Sequence, residues 1–146
     1  MARVYTYSFE DTTIEISHPN YGAYSAFGTG IGTVQIQYAQ DITTHDVASD
    51  LATVVSKHAY VNGTVVLDIL QSSDFNAWLK GFTNFVSSPG TSSSDFATAE
   101  LTIRNKSTGD TYVCKGVSPQ KRADNNFQSD AQRRSWTLMC AEIVEV

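Results

Sequence analysis

The chain of 146 residues has little cysteine and no long apolar run, and both absences exclude classes of protein. Its two cysteines, Cys114 and Cys140, have neither C-x-x-C spacing nor a nearby histidine, which argues against a structural zinc site and favours buried free thiols. Every apolar stretch is far shorter than the roughly 20 residues that cross a bilayer, so no membrane span is predicted. Residues 1–9 lack the pattern of a signal peptide, and we expect synthesis in the cytoplasm.

Charged residues are also sparse, at 17% against 41% hydrophobic residues, and their balance is negative. This composition lies outside the range of disordered chains, and the length suits one domain over residues 1–146. A net charge of −5 argues against a protein that grips phosphate backbones, because such binding needs a basic surface. The sequence therefore predicts one folded domain without tight nucleic-acid binding.

No group of residues matches a catalytic, cofactor or metal site. The histidines His18, His45 and His58 lack metal-ligand spacing. His45 followed by Asp46 could be a base with its orienting carboxylate, but no Ser or Cys occupies a nucleophile elbow. The glycine-rich residues 28–32 precede a strand, so they cannot present a helix N-terminus to a phosphate. We predict no enzyme activity, no cofactor and no metal.

Apolar residues at every second position predict a mainly β protein with roughly six or seven strands. The alternating residues include Tyr5, Tyr7, Phe9, Ile14, Ile16, Val34, Ile36, Tyr38, Val65, Leu67, Ile69, Leu101, Ile103, Trp136, Leu138 and Cys140. A turn at Thr108-Gly109-Asp110 joins two of these strands into a hairpin. Residues 73–86 differ, because their apolar residues recur at spacings of three and four, which predicts one amphipathic helix capped by Ser73 or Asp74.

Two further segments leave alternatives open. In residues 41–60 the apolar residues Val47, Leu51, Val54 and Val55 follow neither strand nor helix spacing throughout. The segment therefore forms either a long hairpin arm or a helix over 46–57. Positive charge gathers in the last third of the chain, where it forms either salt bridges to a neighbouring subunit or a plain solvated surface. The residues of this group that we take as inter-subunit candidates are Lys121, Arg122, Arg133 and Arg134.

Three segments, taken in order, carry a resemblance to a known family: GTGIGTVQIQYAQD, THDVASDLATVVSKHAYVNGTVVLDILQSSDFNAWL and RRSWTLMCAEIVEV. Together they resemble phage tail tube proteins, particularly the small tube subunits of contractile, Mu-like myophage tails. In that family a strand ending near LQSS runs directly into a short helix, as at residues 70–79 here. The resemblance covers nearly the whole chain.

The resemblance implies a β-sandwich or half-barrel with one short α-helix, assembled into stacked hexameric rings that form a hollow conduit for DNA. It implies tail sheath, baseplate and tape-measure proteins as partners, and a place in the virion tail after assembly in the host cytoplasm. The family's loop that contacts the adjacent ring corresponds to residues 41–60. Its candidate contact residues are His45, Asp46, Val47, Leu51, Val54 and Val55.

Other functions remain open from the sequence. Within the same broad class, the chain could be another β-rich virion component, such as a tail terminator, head-completion or baseplate protein, or a type VI secretion tube subunit. From a different class, a monomeric β-sandwich module could bind a carbohydrate or small ligand through Tyr21, Tyr24 and Phe27. Assembly discriminates the two classes, because a binding module should stay monomeric.

Overall fold

A computed structural model describes residues 2–27, 31–90 and 95–146. In chain order the elements are a 3-10 turn (Phe9–Asp11), β1 (Thr12–His18), β2 (Gly22–Ala26), β3 (Ile31–Tyr38), β4 (Thr43–Val47), β5 (Thr53–Lys57), β6 (Gly63–Leu70), α1 (Asp74–Val86), β7 (Ala99–Asn105), β8 (Asp110–Pro119) and β9 (Arg133–Glu145). The fold is therefore mainly β with one α-helix among the described residues, as the periodicity predicted.

Seven strands form one antiparallel sheet in the order β2-β1-β7-β8-β9-β6-β3, curled into a half-barrel. Alternation along the strands places one set of side chains inside the curl. Ile14 and Ile16 of β1, for example, are at most 1% exposed, whereas Glu15 between them is exposed. Trp136 is the largest of the fully buried side chains and anchors the core from β9. The half-barrel is thus built around a single apolar interior.

The helix α1 packs its apolar stripe on this interior. Its buried residues include Phe75, Leu79 and Phe82, which recur at the predicted spacing of four and three. The Ser73 hydroxyl accepts a hydrogen bond from the Asn76 backbone N–H at 3.2 Å and caps the first turn, as predicted. In the described part of the chain, no helix has the length and apolar character needed to cross a bilayer.

Three local predictions differ from the structure or are decided by it. The alternating residues Tyr5 and Tyr7 lie outside the sheet, since they belong to no strand. β2 was not predicted, because Tyr24 is its only large apolar residue that packs on the core. Residues 41–60 form a hairpin of β4 and β5, so the alternative helix over 46–57 is wrong. With β2, β4 and β5 included, the described residues form nine strands, more than the six or seven predicted.

Candidate assembly surfaces

The hairpin of residues 41–60, named the arm, projects from the body with no buried side chain in either strand. Its strands pair antiparallel from Thr43 opposite Lys57 to Val47 opposite Thr53. The tip is closed by backbone hydrogen bonds from Ala48 N–H to the Ala52 carbonyl, at 2.8 Å, and from Leu51 N–H to the Ala48 carbonyl, at 2.9 Å. A two-stranded hairpin that packs on nothing is at best marginally stable in water. The arm therefore has the properties of a segment completed by a partner.

The six predicted contact residues divide over both faces and the tip of the arm. His45 lies opposite Val55 on one face, and Asp46 lies opposite Val54 on the other. Leu51 occupies the tip with φ of 68° and is 83% exposed. A left-handed conformation is unfavourable for a branched side chain, and an exposed leucine gains nothing from it in the isolated chain. The arm thus presents apolar side chains outward on every side.

Three of the four predicted cations are exposed, and they lie in or next to the segment between β8 and β9. Lys121 forms an ion pair with Asp124 at 3.9 Å, with both side chains largely in solvent. Arg122 donates to the Asn84 side chain and to the Ser87 hydroxyl near the end of α1. Arg133 is exposed at the start of β9, and its guanidinium lies over Gly32 of β3, where a side chain would collide with it.

Arg134 does not fit the predicted role, because it is only 8% exposed and is held within the chain. Its guanidinium donates to the Ala123 carbonyl at 2.6 Å and to the Asn76 side-chain oxygen at 3.5 Å. It also lies 4.7 Å from the centre of the Trp136 ring. Burial lowers the pKa of Arg134. The alternation of β9 sends adjacent side chains to opposite faces, so Arg134 shares the buried face of Trp136 whereas Arg133 does not.

The sheet has two free edges, β2 and β3. β3 is eight residues long and contains neither proline nor lysine, the residues that commonly protect an edge strand from pairing. Its edge leaves one row of backbone N–H and C=O groups without a neighbouring strand in the described part of the chain. An unprotected edge of this length is suited to pairing with another strand.

The outward face of the half-barrel is mixed in character, because polar, charged and apolar residues alternate with the core residues. Its uncharged polar residues are threonine, serine and glutamine: Thr13, Ser17, Ser25, Thr33, Gln35, Gln37, Thr64, Thr102, Thr111, Ser135 and Thr137. Its charged residues are Glu15, Asp68, Glu100, Arg104, Lys115, Arg133 and Glu142. Across three strands Glu100 lies opposite Lys115, and Lys115 lies opposite Glu142, so charges of opposite sign neighbour each other. This face is largely hydrophilic, and its positive charges do not form a cluster.

Within the described residues, the structure does not bring the histidines singled out in the sequence together with each other. No cluster of potential metal ligands occurs in the described ranges. Asp46 is adjacent to His45 on an extended strand, so the two side chains point to opposite faces of the arm. His58 hydrogen-bonds Thr44 and stacks on Tyr60 at the arm's base. The glycine-rich residues 28–32 lie partly outside the described residues.

His18 and the two cysteines are buried within the fold. His18 is 3% exposed; its Nδ1 accepts from the backbone N–H groups of Asn20 and Tyr21, and its Nε2 is 2.7 Å from the Asp95 carbonyl. The two thiols are free and buried, as predicted. The neighbouring Cys114 thiol and burial both raise the pKa of Cys140, which makes it a poor nucleophile.

The aromatic platform considered for ligand binding does not form. Tyr21 packs edge-on to Trp78 at 5.2 Å between ring centres, and Tyr24 stacks on Phe75 at 5.1 Å. Both rings thus cover α1, and only Phe27 of the three is largely exposed. Because Tyr21 and Tyr24 pack against α1, these three residues do not provide a pair of exposed rings that could bind a sugar.

The sequence matches the family described as bacteriophage PhiTE tail tube protein over residues 4–146, and the chain belongs to this family. The predicted resemblance to phage tail tube proteins is thereby confirmed. The family is one of structural components of phage tails. A search of curated proteins finds no match to the chain.

Several solved structures from contractile injection systems have a similar fold. A chain of the PVC sheath/tube terminator in the extended state is 10% identical, with a TM-score of 0.61 and 99% of each chain covered. A chain of the anti-feeding prophage tube terminating cap is 8% identical, with a TM-score of 0.54, 100% of this chain covered and 94% of that one. A chain of the PVC sheath-tube complex is 11% identical, with a TM-score of 0.51, 91% of this chain covered and 87% of that one. At these identities the likeness shows a shared fold.

Proposed function

We propose that this chain is a tail tube subunit that assembles into hexameric rings, stacked into the hollow conduit through which phage DNA leaves the virion. The observation that carries the proposal is the match to a tail tube family over residues 4–146. Two structural features support it: a curled sheet with both edges free, and an arm that packs on nothing in its own chain. Neither the free edges nor the unpacked arm is expected in a protein that functions as a monomer.

In this proposal the free edges close the ring. β3 of one copy pairs with β2 of the next, so that the sheets join edge to edge around the ring and no edge remains exposed. Each contact joins two different surfaces of the same chain, and a rotation that closes gives a ring. The arm residues His45, Asp46, Val47, Leu51, Val54 and Val55 contact neighbouring subunits, as do Lys121, Arg122 and Arg133.

The polar outward face lines the channel. Its threonine, serine and glutamine side chains stay hydrated, and the cations Arg104, Lys115 and Arg133 are outnumbered by Glu15, Asp68, Glu100 and Glu142. A polyanion held by counterion release needs many free cations, and this face offers few. DNA can therefore pass along it without being held. The role is structural, with no catalysis and no cofactor, in a virion tail assembled in the host cytoplasm with sheath, baseplate and tape-measure proteins.

Negative-stain electron microscopy of the purified chain over a concentration series, with size-exclusion chromatography, tests the proposal. We expect rings or tubes from the wild type. Gln35→Lys with Gln37→Lys places two charges on the exposed face of the edge strand β3 and should reduce ring formation at least tenfold. Ser135→Lys with Thr137→Lys adds the same charge to the central strand β9 and should leave rings intact. A monomer at every concentration would contradict the proposal.

A tail terminator is the second candidate, because the solved structures of similar fold include a sheath/tube terminator and a tube terminating cap. A terminator forms one ring and stops there. Rings that never stack, and that bind the end of a tube formed by another subunit, would favour this function. Rings that polymerise by themselves favour the tube subunit.

A further inference from the structure

One end of the half-barrel contains an apolar groove that the chain leaves open. β3 and β7 end there and β1 and β8 begin there, because each strand runs antiparallel to its neighbours. The groove has a volume of about 200 Å³. Four apolar side chains of its lining are only partly buried, although they pack against the core: Phe9, Val34, Ile36 and Tyr112. This lining is therefore available to a further apolar group.

The size of the groove indicates what kind of group fits it. Sites for drug-sized ligands measure roughly 300–1,000 Å³, so this groove is too small for such a ligand. A dry apolar cavity of about 150 Å³ holds a benzene ring. The groove therefore has room for one aromatic side chain of a protein.

Residues 2–7, named the leading segment, carry exposed aromatic side chains at this same end. Tyr5 is 82% exposed and Tyr7 is 66% exposed, and Tyr7 forms part of the groove wall. The Ser8 N–H donates to the Ser107 hydroxyl at 3.0 Å, which holds the segment beside the β7–β8 turn. The isolated chain thus has an open apolar groove and, close to it, a tyrosine that packs on nothing.

A ring closed through β2 and β3 brings the leading segment of one copy to the groove of the next. Six antiparallel pairings separate β2 from β3 in the sheet, so the two strands run in the same direction. All copies in a ring have the same orientation along its axis, so β3 ends beside the end of the neighbour's β2. The neighbour's β1 begins there, since Ile14 lies opposite Ala26. Two strand spacings place that β1 roughly 10 Å from β3, and six residues span up to roughly 20 Å.

The charges of the leading segment and of the groove are complementary. Arg3 is exposed, and Asp110 lies exposed on the groove rim. Neither residue forms an ion pair among the described residues. Glu145 adds a second carboxylate, because it accepts a hydrogen bond from the Tyr112 hydroxyl. Side chains two residues apart in an extended chain lie on the same side, so Arg3 and Tyr5 can contact one surface together.

We propose that Tyr5 of one copy fills the groove of its neighbour in the same ring, with Arg3 beside Asp110 and Glu145. This inference rests on the proposed function and adds a second lateral contact to the pairing of β2 with β3. The contact joins two different surfaces of the chain, so it repeats around a closed ring. It covers apolar side chains that each isolated copy leaves in water.

Substitutions in the leading segment test the contact through the concentration at which rings form. Tyr5→Ala should raise that concentration at least tenfold in electron micrographs and size-exclusion chromatography. Val4→Ala removes an equally exposed apolar side chain from the other side of the segment and should leave the concentration unchanged. Urea unfolding should be the same for both variants, because neither side chain is buried within its own chain.

A charge exchange tests the position of Arg3. Arg3→Glu opposes the carboxylates of the groove, and Asp110→Lys opposes Arg3, so each substitution alone should raise the concentration at which rings form at least tenfold. A chain with both substitutions again pairs opposite charges, because every copy carries both the segment and the groove. It should form rings at a concentration close to that of the wild type. Far-ultraviolet circular dichroism checks that all variants fold.

A cross-link distinguishes the segment of a neighbour from the segment of the same chain. Chains with Tyr5→Cys and chains with Thr108→Cys on the groove lining carry tags of different size and are mixed with a short bismaleimide. The buried Cys114 and Cys140 are protected from the reagent. We expect a covalent dimer of the two unlike chains. The yield should be at least tenfold lower with Glu100→Cys, at the other end of β7, in place of Thr108→Cys.

The outcomes separate this contact from the proposed function. If the dimer of unlike chains is absent, the contact is overturned, and wild-type rings would still support the proposed function. Rings that form equally well with Tyr5→Ala and with Arg3→Glu would likewise overturn the contact alone. A cross-linked dimer without rings at any concentration would support the contact and count against the proposed function.

Discussion

At the scale of residues, Asn76 joins α1 to β9 through a buried amide. Its side-chain oxygen accepts from the Trp136 indole N–H at 3.0 Å and from Arg134 at 3.5 Å, and its amide donates to the Gln71 carbonyl at 2.9 Å. An asparagine in the first turn of an apolar helix is unfavourable by propensity. It is explained here by the two buried donors that it satisfies.

Replacing Asn76 with alanine should therefore destabilise the fold well beyond the loss of one contact. Trp136 and Arg134 would each keep a buried donor without its acceptor, at about 1–3 kcal/mol for each such group. We expect the free energy of unfolding to fall by about 2–4 kcal/mol in urea titrations. Asn84→Ala on the exposed side of the same helix is the control, with an expected loss below about 1 kcal/mol. Equal effects of the two substitutions would show that the buried amide has no special role.

Burial and the Glu145 charge together make the fold sensitive to alkaline pH through Tyr38 and Tyr112. The Tyr112 hydroxyl donates to a carboxylate oxygen of Glu145 at 3.3 Å. Burial, and then the Glu145 charge, raise the pKa of Tyr112 and that of Tyr38 above the ordinary value. Since the unfolded chain ionises its tyrosines near pH 10, it loses these protons first, and stability falls as pH rises above about 10.

Tyr112→Phe should thus reduce the alkaline loss of stability, measured as the urea midpoint at several pH values above about 9. Glu145→Gln keeps the tyrosines but removes the charge, so phenolate absorbance should develop at lower pH than in the wild type. Unchanged titration curves in the Glu145→Gln variant would mean that burial alone sets the pKa values of the two tyrosines.

At the scale of elements, α1 packs closely against the β1–β2 turn at Gly81. A side chain at Gly81 would collide with the Tyr21 hydroxyl, and Tyr21 also contacts Trp78 and Phe82. His18 fixes the position of Tyr21 by accepting its backbone N–H at 3.2 Å. The glycine therefore sets how closely the helix and the turn approach.

The close contact between Gly81 and Tyr21 can be tested by a double-mutant cycle. Gly81→Ala alone should destabilise by about 1–3 kcal/mol through the collision, although alanine favours a helix by about 1 kcal/mol. In a Tyr21→Phe background the hydroxyl is gone, and the same substitution should be neutral or stabilising in urea unfolding. Additive effects in the cycle would show that Tyr21 and Gly81 do not interact.

The elements also show how far the sequence could predict the fold. β1, β6, β7 and β9 were predictable because each buries one face and so alternates, and α1 because its stripe has the helical spacing. The arm left two alternatives open because neither of its faces is buried in its own chain. The order of strands could not be predicted, since β1 pairs with β7 across most of the chain and nothing local specifies that pairing.

At the scale of the whole molecule, the body and the arm differ in what stabilises them. The body contains the buried apolar cluster, whereas no arm residue belongs to that cluster. The arm could be recognised in the sequence as a separate segment, because its apolar residues follow neither strand nor helix spacing. Alternation places Arg134 on the face of Trp136, but the groups that accept its hydrogen bonds, the Asn76 side chain and the Ala123 carbonyl, come from other segments and could not be predicted.

This difference predicts that the arm can be removed without unfolding the body. The Ala39 N–H donates to the Asn62 carbonyl at 3.1 Å, so residues 40–60 can be replaced by Asn-Gly to give a three-residue turn between β3 and β6. This keeps Val61, whose carbonyl accepts from the Ile143 N–H at 2.8 Å. The melting temperature should change by only a few degrees, because no buried area is lost. Tubes should disappear in electron micrographs while rings persist, since β2 and β3 remain. A shortened arm that ends at Val47 and Thr53, without Leu51, is the control for the tip and should also fail to stack. If removal of the arm unfolds the body, the arm contributes to the core, and its independence is disproved.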